Sequence, residues 1–206
     1  MSIKPSLSQN KANVVIVDDF FENPNDVRNF ATGMPYVRED TRYKVQRSQE
    51  RYLFSGVKER FEALLGKKIT VWEAHGFNGV FQLSVSGDKV VYHSDHQSYA
   101  GVVYLTPDAP PQSGTVLIRS KGNKLRCPEE AVKANLSTEL ASRQMYGDGN
   151  PGKLLDPTAW EIVDVIGNRY NRLAIWNARL AHAGMNYFGN NINDGRLVQM
   201  YFFDCG

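Results

Sequence analysis

From Ile69 onward the chain is a succession of short β-branched and aromatic runs: ITVWEA, GVFQLSV, KVVYH, GVVYLT, GTVLIRS, AWEIVDVIG, RLAIWN and RLVQMYFFD. Turns rich in Gly, Pro, Asn and Asp, such as SGDK, PDAPPQSG and GNRYN, separate them. Eight strands punctuated this closely predict a sandwich or small barrel rather than a βαβ sheet. One helical insert interrupts the series at about 120–157. It carries PEEAVKANLSTELASRQ, with Pro128 and two glutamates at its start, and then the flexible connection YGDGNPGKLLDP.

The first 68 residues read differently. Residues 1–12 are expected to be a frayed tail. NVVIVDDFF reads as a strand, and ENPNDVRNFATGM then begins a helix with Asn23 as N-cap, Pro24 at its first position and Asp26 complementing the dipole. Val27, Phe30 and Ala31 would face the core. SGVKERFEALLG predicts a second short helix, capped by Ser55, with Phe61, Leu64 and Leu65 on one side and Gly66 as its stop. The expected class is α+β, with a helical support region at 13–68 and a β-rich body at 69–206. Strand order does not follow from periodicity.

A chain of 206 residues is long enough to bury a core as one domain, here 13–206. A formal charge of +2 is too mild for a nucleic-acid footprint. The segment YVREDTRYKVQRSQERYLF interleaves basic residues with Tyr36, Tyr43 and Tyr52. Glu39, Asp40 and Glu50 interrupt the charge, which favours a solvated loop over the sheet. Cys127 and Cys205 alone supply neither a disulfide framework nor a thiolate metal site, so a reducing, cytoplasmic setting is expected. The N-terminus lacks the apolar stretch of a secretory signal, and no apolar window is long enough for a membrane span.

Within this β-rich body, YHSDH places His93 and Asp95 at alternate positions. In extended backbone they share one face, while Ser94 and His96 take the other. A histidine and a carboxylate on one face are two ligands of a 2-His-1-carboxylate triad, which leaves positions open on Fe(II). His182, just past RLAIWN and close to Gly184, is the candidate third ligand. His75 has no paired ligand and reads as structural. An isolated HxD is more often a hydrogen-bonded surface pair than a metal site, so its surroundings decide.

Those surroundings resemble the 2-oxoglutarate- and Fe(II)-dependent dioxygenases, in particular the prolyl 4-hydroxylase-like group. The resemblance spans roughly residues 78 to 204. FQLSVSGDKVVYHSDH is similar to the family's strand, glycine-containing turn and HxD. YAGVVYLTPDAPPQSGTVLI is similar to its next strand and small-residue loop, RLAIWNARLAHAG to the strand delivering the distal histidine, and GRLVQMYFFD to the last strand, which opens on a basic residue.

The resemblance implies a double-stranded β-helix (jelly-roll) core with the N-terminal helices packed outside. It implies that His93, Asp95 and His182 hold iron and that Arg196 pairs with the distal carboxylate of 2-oxoglutarate. An arginine suits that task, since its fork is bidentate and permanently charged. Tyr104 stands where a phenol would bond the same carboxylate, or where a core aromatic would put its hydroxyl at the rim. Gln82 would reach the metal side of the cosubstrate, or simply occupy its strand.

The implied reaction takes O₂ and 2-oxoglutarate to succinate and hydroxylates a C–H bond, with ascorbate a candidate supporting reductant. Asp95 favours hydroxylation or dealkylation over halogenation, for which related enzymes carry a small residue there. The insert reads as a substrate lid. Peptide side chains and small molecules are the favoured substrates; the oligomeric state is not readable. The rivals are a non-catalytic jelly-roll that binds a metal or ligand, and a nucleic-acid demethylase of the same superfamily.

Overall fold

A computed structural model describes residues 12–38, 45–147 and 152–206. In chain order the elements are β1 (Val14–Val17), α1 (Pro24–Thr32), β2 (Tyr36–Arg38), β3 (Gln46–Arg51), α2 (Val57–Leu65), β4 (Ile69–Val71), β5 (Val80–Ser84), β6 (Tyr99–Tyr104), β7 (Thr115–Ser120), α3 (Thr138–Tyr146), α4 (Gly152–Leu155), β8 (Trp160–Ile166), β9 (Leu173–Asn177), β10 (His182–Gly184) and β11 (Arg196–Cys205).

The strands form two antiparallel sheets. The larger runs β1-β9-β6-β11-β5-β3-β2, with β4 added beside the C-terminal end of β11, and the smaller runs β10-β7-β8. Strand β11 lies at the centre of the large sheet and is apolar on both faces. Val198 and Met200 join Ala174, Trp176, Leu117 and Ile166 in the layer between the sheets. Leu197, Tyr201 and Phe203 turn the other way, toward Ala31, Val57 and Phe61 of the helices. This is the jelly-roll with helices packed outside that the sequence implied.

Gln199, a buried polar position within β11, is satisfied: its Nε2 donates to Tyr52 O at 2.8 Å and its Oε1 accepts from Tyr201 Oη at 2.7 Å. A third apolar layer covers the outer face of the small sheet, where Met145 of α3 meets Val116, Ile118 and Trp160.

Seven of the eight expected runs are strands; the exception is KVVYH, irregular except for a single bridge at His93. Apart from that bridge its backbone pairs outside the sheets, as where Tyr92 N donates to Leu154 O of α4 at 2.8 Å. The presumed basic loop contains β2 and β3, and β3 extends the large sheet by pairing with β5. Polar composition and a solvated face concealed β3, and β2 is only three residues long. Thus 13–68, read as helical support with one strand at NVVIVDDFF, which is β1, also supplies β2 and β3. The tail at 1–11, along with Glu39, Asp40 and Tyr43, lies outside the described residues.

Both N-terminal helices form, with corrections. Phe30 is 42% exposed rather than core, and α2 begins after Gly56, whose φ of 83° turns the chain, so Ser55 does not cap it. Gly66 ends α2 at φ 63°, as a left-handed stop should. The insert is not one helix. A 3₁₀ segment, Pro128–Ala134, stops at Asn135 (φ 55°), and Ser137 Oγ then caps α3 by accepting from Leu140 N.

Candidate metal and anion site

The HxD segment is held by the strands beyond it. His93 and His182 exchange both backbone hydrogen bonds, at 3.0 and 2.7 Å, and Asp95 N donates to Ala178 O at 2.8 Å. His182 is in turn the first residue of β10, opposite Leu117 of β7. Ser94 turns away as alternation requires, and its Oγ lies 2.9 Å from the Tyr146 hydroxyl of α3. His96 is exposed.

The side chains of His93, Asp95 and His182 converge, with one potential ligand atom from each lying within 4.8 Å of the others. His93 Nε2 is 3.6 Å from Asp95 Oδ1, and His182 Nε2 is 3.2 Å from Asp95 Oδ2. The opposite ring nitrogens decide what this means. His93 Nδ1 lies 3.1 Å from Val91 O and His182 Nδ1 lies 2.8 Å from Leu180 O. A carbonyl only accepts, so each neutral ring carries its proton on Nδ1 and presents a bare Nε2 lone pair.

Two imidazole lone pairs then face a carboxylate, and none of the three can donate to another. Consistently, Asp95 Oδ2 is buried with no hydrogen-bond partner. Three acceptors pressed together call for a cation. Burial and the neighbouring His182 hold the His93 imidazole below the usual histidine range. Burial alone would raise the Asp95 carboxyl; a proton taken up at His182 Nε2 and donated to it, together with positive charge on His93, would hold it below the usual carboxylate range.

The triad opens into a cavity of about 480 Å³, which Gln82, Thr115, Tyr187 and Arg196 also line. Arg196, the first residue of β11, is 3% exposed. Its Nε donates to Ser113 O at 2.8 Å, and Nη2 to Gly114 O at 3.2 Å and Thr115 Oγ1 at 3.4 Å. Its guanidinium lies between two rings, 5.3 Å from the Tyr104 centroid and 5.7 Å from that of Tyr187. No acidic side chain pairs with it among the described residues. A buried cation without a counter-charge is costly, and this one borders an open cavity that an anion could enter.

Tyr104 is placed otherwise than the resemblance implied. It is fully buried behind Arg196, outside the cavity lining, and its hydroxyl donates to Thr115 Oγ1 at 2.8 Å. The phenol in the cavity wall is Tyr187, which burial pushes above the usual tyrosine range. Sequence reading missed it because it sits in the long loop NYFGNNINDG, where no period marks a facing side chain. Gln82 does face the cavity, and its Oε1 accepts from Arg47 Nε at 3.2 Å. His75, also in the lining, is bonded through Nε2 to Asp204 Oδ2 at 2.9 Å.

The insert lies chiefly on the outer face of the small sheet: Ala141 and Met145 are buried there, and Tyr146 packs on Trp160. Only Leu154 of α4 reaches the cavity wall among its described residues.

No family model matches the chain, and no curated protein matches it in sequence. Solved structures share its fold. HygX from Streptomyces hygroscopicus with nickel and 2-oxoglutarate bound is 10% identical, with 97% of this chain and 87% of that one covered at a TM-score of 0.57. HygX with nickel, 2-oxoglutarate and hygromycin B bound is 11% identical, covering 94% and 83% at 0.54. A prolyl hydroxylase from Trichoplax adhaerens, in complex with a peptide fragment of hypoxia inducible factor, is 11% identical, covering 93% and 84% at 0.48. Among the described residues, no helix is long and apolar enough to cross a membrane.

Proposed function

We propose that this chain is a 2-oxoglutarate- and Fe(II)-dependent dioxygenase that hydroxylates a C–H bond, with His93, Asp95 and His182 as metal ligands. The observation that carries the reading is one cavity holding both a convergent set of three lone-pair donors and a buried, uncompensated guanidinium. Two imidazoles and one carboxylate suit iron(II), and the orphaned Asp95 Oδ2 is the acceptor such an ion would satisfy. The likeness to HygX, which binds nickel and 2-oxoglutarate, supports the same pairing of metal and cosubstrate.

Each residue then has a task. The Nδ1 bonds to Val91 and Leu180 fix ring orientation and keep both Nε2 atoms available. Arg196 receives the far carboxylate of 2-oxoglutarate, with the Thr115 hydroxyl beside it and Tyr187 across the guanidinium. Gln82, held by Arg47, faces the cosubstrate from β5. Bound iron(II) would supply O₂ activation, coupling decarboxylation of 2-oxoglutarate to succinate with hydroxylation of the substrate. A peptide side chain or a small molecule fits a cavity of this size.

The test is succinate formation. Protein loaded with Fe(II) under argon, given 2-oxoglutarate and ascorbate, should release succinate after air is admitted, slowly even without substrate. A protein that binds Mn(II) but releases no succinate would be the non-catalytic metal-binding jelly-roll instead.

A further inference from the structure

We infer that Tyr146 of α3 is a positioning residue for the metal triad: its hydroxyl holds Ser94, and through Ser94 the backbone that carries His93 and Asp95. The inference rests on the reading of the triad as a metal site. It gives the insert a task at that site other than covering substrate.

The stretch that carries the two ligands is not a regular strand. Its ties to the strands beyond it are the bridge of His93 with His182 and the bond from Asp95 N to Ala178 O. Both act on the main chain of the ligands themselves. Ser94 stands between them with its side chain on the opposite face. A contact on Ser94 therefore opposes rotation of the stretch about its own axis, the motion that would swing His93 and Asp95 out of the triad together. Tyr146 makes that contact, its Oη donating to Ser94 Oγ at 2.9 Å. Burial pushes the phenol up to about 12, so it remains a donor at neutral pH.

The hydroxyl is placed by the rest of the insert. Tyr146 ends α3, which Ser137 caps and which buries Ala141 and Met145. Its ring packs on Trp160, with centroids 5.5 Å apart, and Trp160 also stacks on Tyr92 at 6.2 Å and 12° between planes. Trp160 Nε1 donates to Lys153 O at 2.9 Å, and the next carbonyl, that of Leu154, accepts from Tyr92 N at 2.8 Å. The insert and the first residue of β8 thus grip the residue before His93 and the residue after it. So tied, the insert braces the metal loop.

Two single substitutions and their combination test this. Tyr146→Phe removes the hydroxyl and keeps the ring on Trp160; Ser94→Ala removes the acceptor. The full chain is titrated with Mn(II) by calorimetry, and the electron paramagnetic resonance of the bound ion is recorded. The net worth of a neutral hydrogen bond sets the scale, so each single variant should lose about two- to tenfold in Mn(II) affinity. The double variant should lose no more than either single one, because all three break the same contact. The Mn(II) lines should broaden alike in all three as the ligand geometry becomes less uniform.

Urea unfolding of the metal-free proteins separates this from a bond that serves the fold alone. Lower stability of Tyr146→Phe with unchanged Mn(II) affinity and spectrum would overturn the inference. Losses of affinity that add in full in the double variant would overturn it too. Failure of wild type to bind Mn(II) would instead overturn the functional reading, and the inference with it.

Discussion

His93 and His182 are partners in an isolated antiparallel bridge, exchanging both backbone hydrogen bonds while their rings lie 4.5 Å apart by centroid. The bridge joins two stretches remote in sequence and aims both Nε2 atoms at one carboxylate. The site is preorganised by backbone, so each side chain can be removed without dismantling its support.

The first prediction follows. His93→Ala and His182→Ala should each fold, because the bridge is made by main-chain atoms, and each should lose Mn(II) affinity. Loss of a residue that merely orients a ligand costs about 10–100-fold, so removing a ligand should exceed about 100-fold. Titration calorimetry with Mn(II) checks this. Unchanged affinity in both variants would take them out of the metal site.

The second prediction concerns Arg196. Its guanidinium is held by two carbonyls and a hydroxyl but has no acidic partner among the described residues. In the loaded protein, Arg196→Leu would leave a cosubstrate carboxylate buried alone, a loss of about 3–5 kcal/mol. The affinity for 2-oxoglutarate should therefore fall by orders of magnitude while Mn(II) still binds. Tight 2-oxoglutarate binding by this variant would assign the anchor to another cation.

Much of this was legible in the sequence. Alternation in YHSDH correctly divided His93 and Asp95 from Ser94 and His96, although the stretch is not a regular strand. What kept the alternation was extended backbone tied to His182 and Ala178. Position alone could not separate Tyr104 from Tyr187. Tyr104 sits on a well-marked strand and turns out to support Thr115 from behind, whereas Tyr187 reaches the cavity from an aperiodic loop. Strand β2 escaped notice because it is only three residues long, and β3 because it carries charged and polar residues rather than apolar ones; with β3 went the position of Arg47. Tertiary pairing, of β3 with β5 and of β2 with β3, rather than local propensity makes them strands.

The third prediction is about stability near Arg196. A Cβ added at Gly114 would lie 1.8 Å from Ile166 O and 2.8 Å from Asn168 N, both backbone atoms that cannot swing aside. Gly114→Ala must push β7 from β8 where Thr115 pairs with Ile166, and it disturbs a carbonyl that Arg196 uses. A loss of about 4 kcal/mol or more is expected, at the diagnostic end of single substitutions. Gly76→Ala, with nothing within 4 Å of its added Cβ, is the control and should stay within about 0.5 kcal/mol. Urea unfolding of both variants checks the contrast.

The fourth prediction separates the two phenols. Tyr187→Phe removes a hydroxyl from the cavity wall, and a hydrogen bond to a charged group is worth about 1.5–3 kcal/mol. On protein loaded with Mn(II), 2-oxoglutarate affinity should fall by about ten- to a hundredfold. Gly184→Ala reaches the same end by a different route. Its Cβ would stand 2.7 Å from Tyr187 Oη and 2.8 Å from Cε1, and these side-chain atoms can move where a backbone could not. The fold should therefore survive with the phenol displaced. Gly184→Ala should match Tyr187→Phe in 2-oxoglutarate affinity, and combining them should add little, because the second change removes a contact the first has already broken. Losses that add in full would show that Gly184 acts on the cosubstrate by some path other than this phenol. Normal affinity in Tyr187→Phe would leave Arg196 and Thr115 to hold the carboxylate without it.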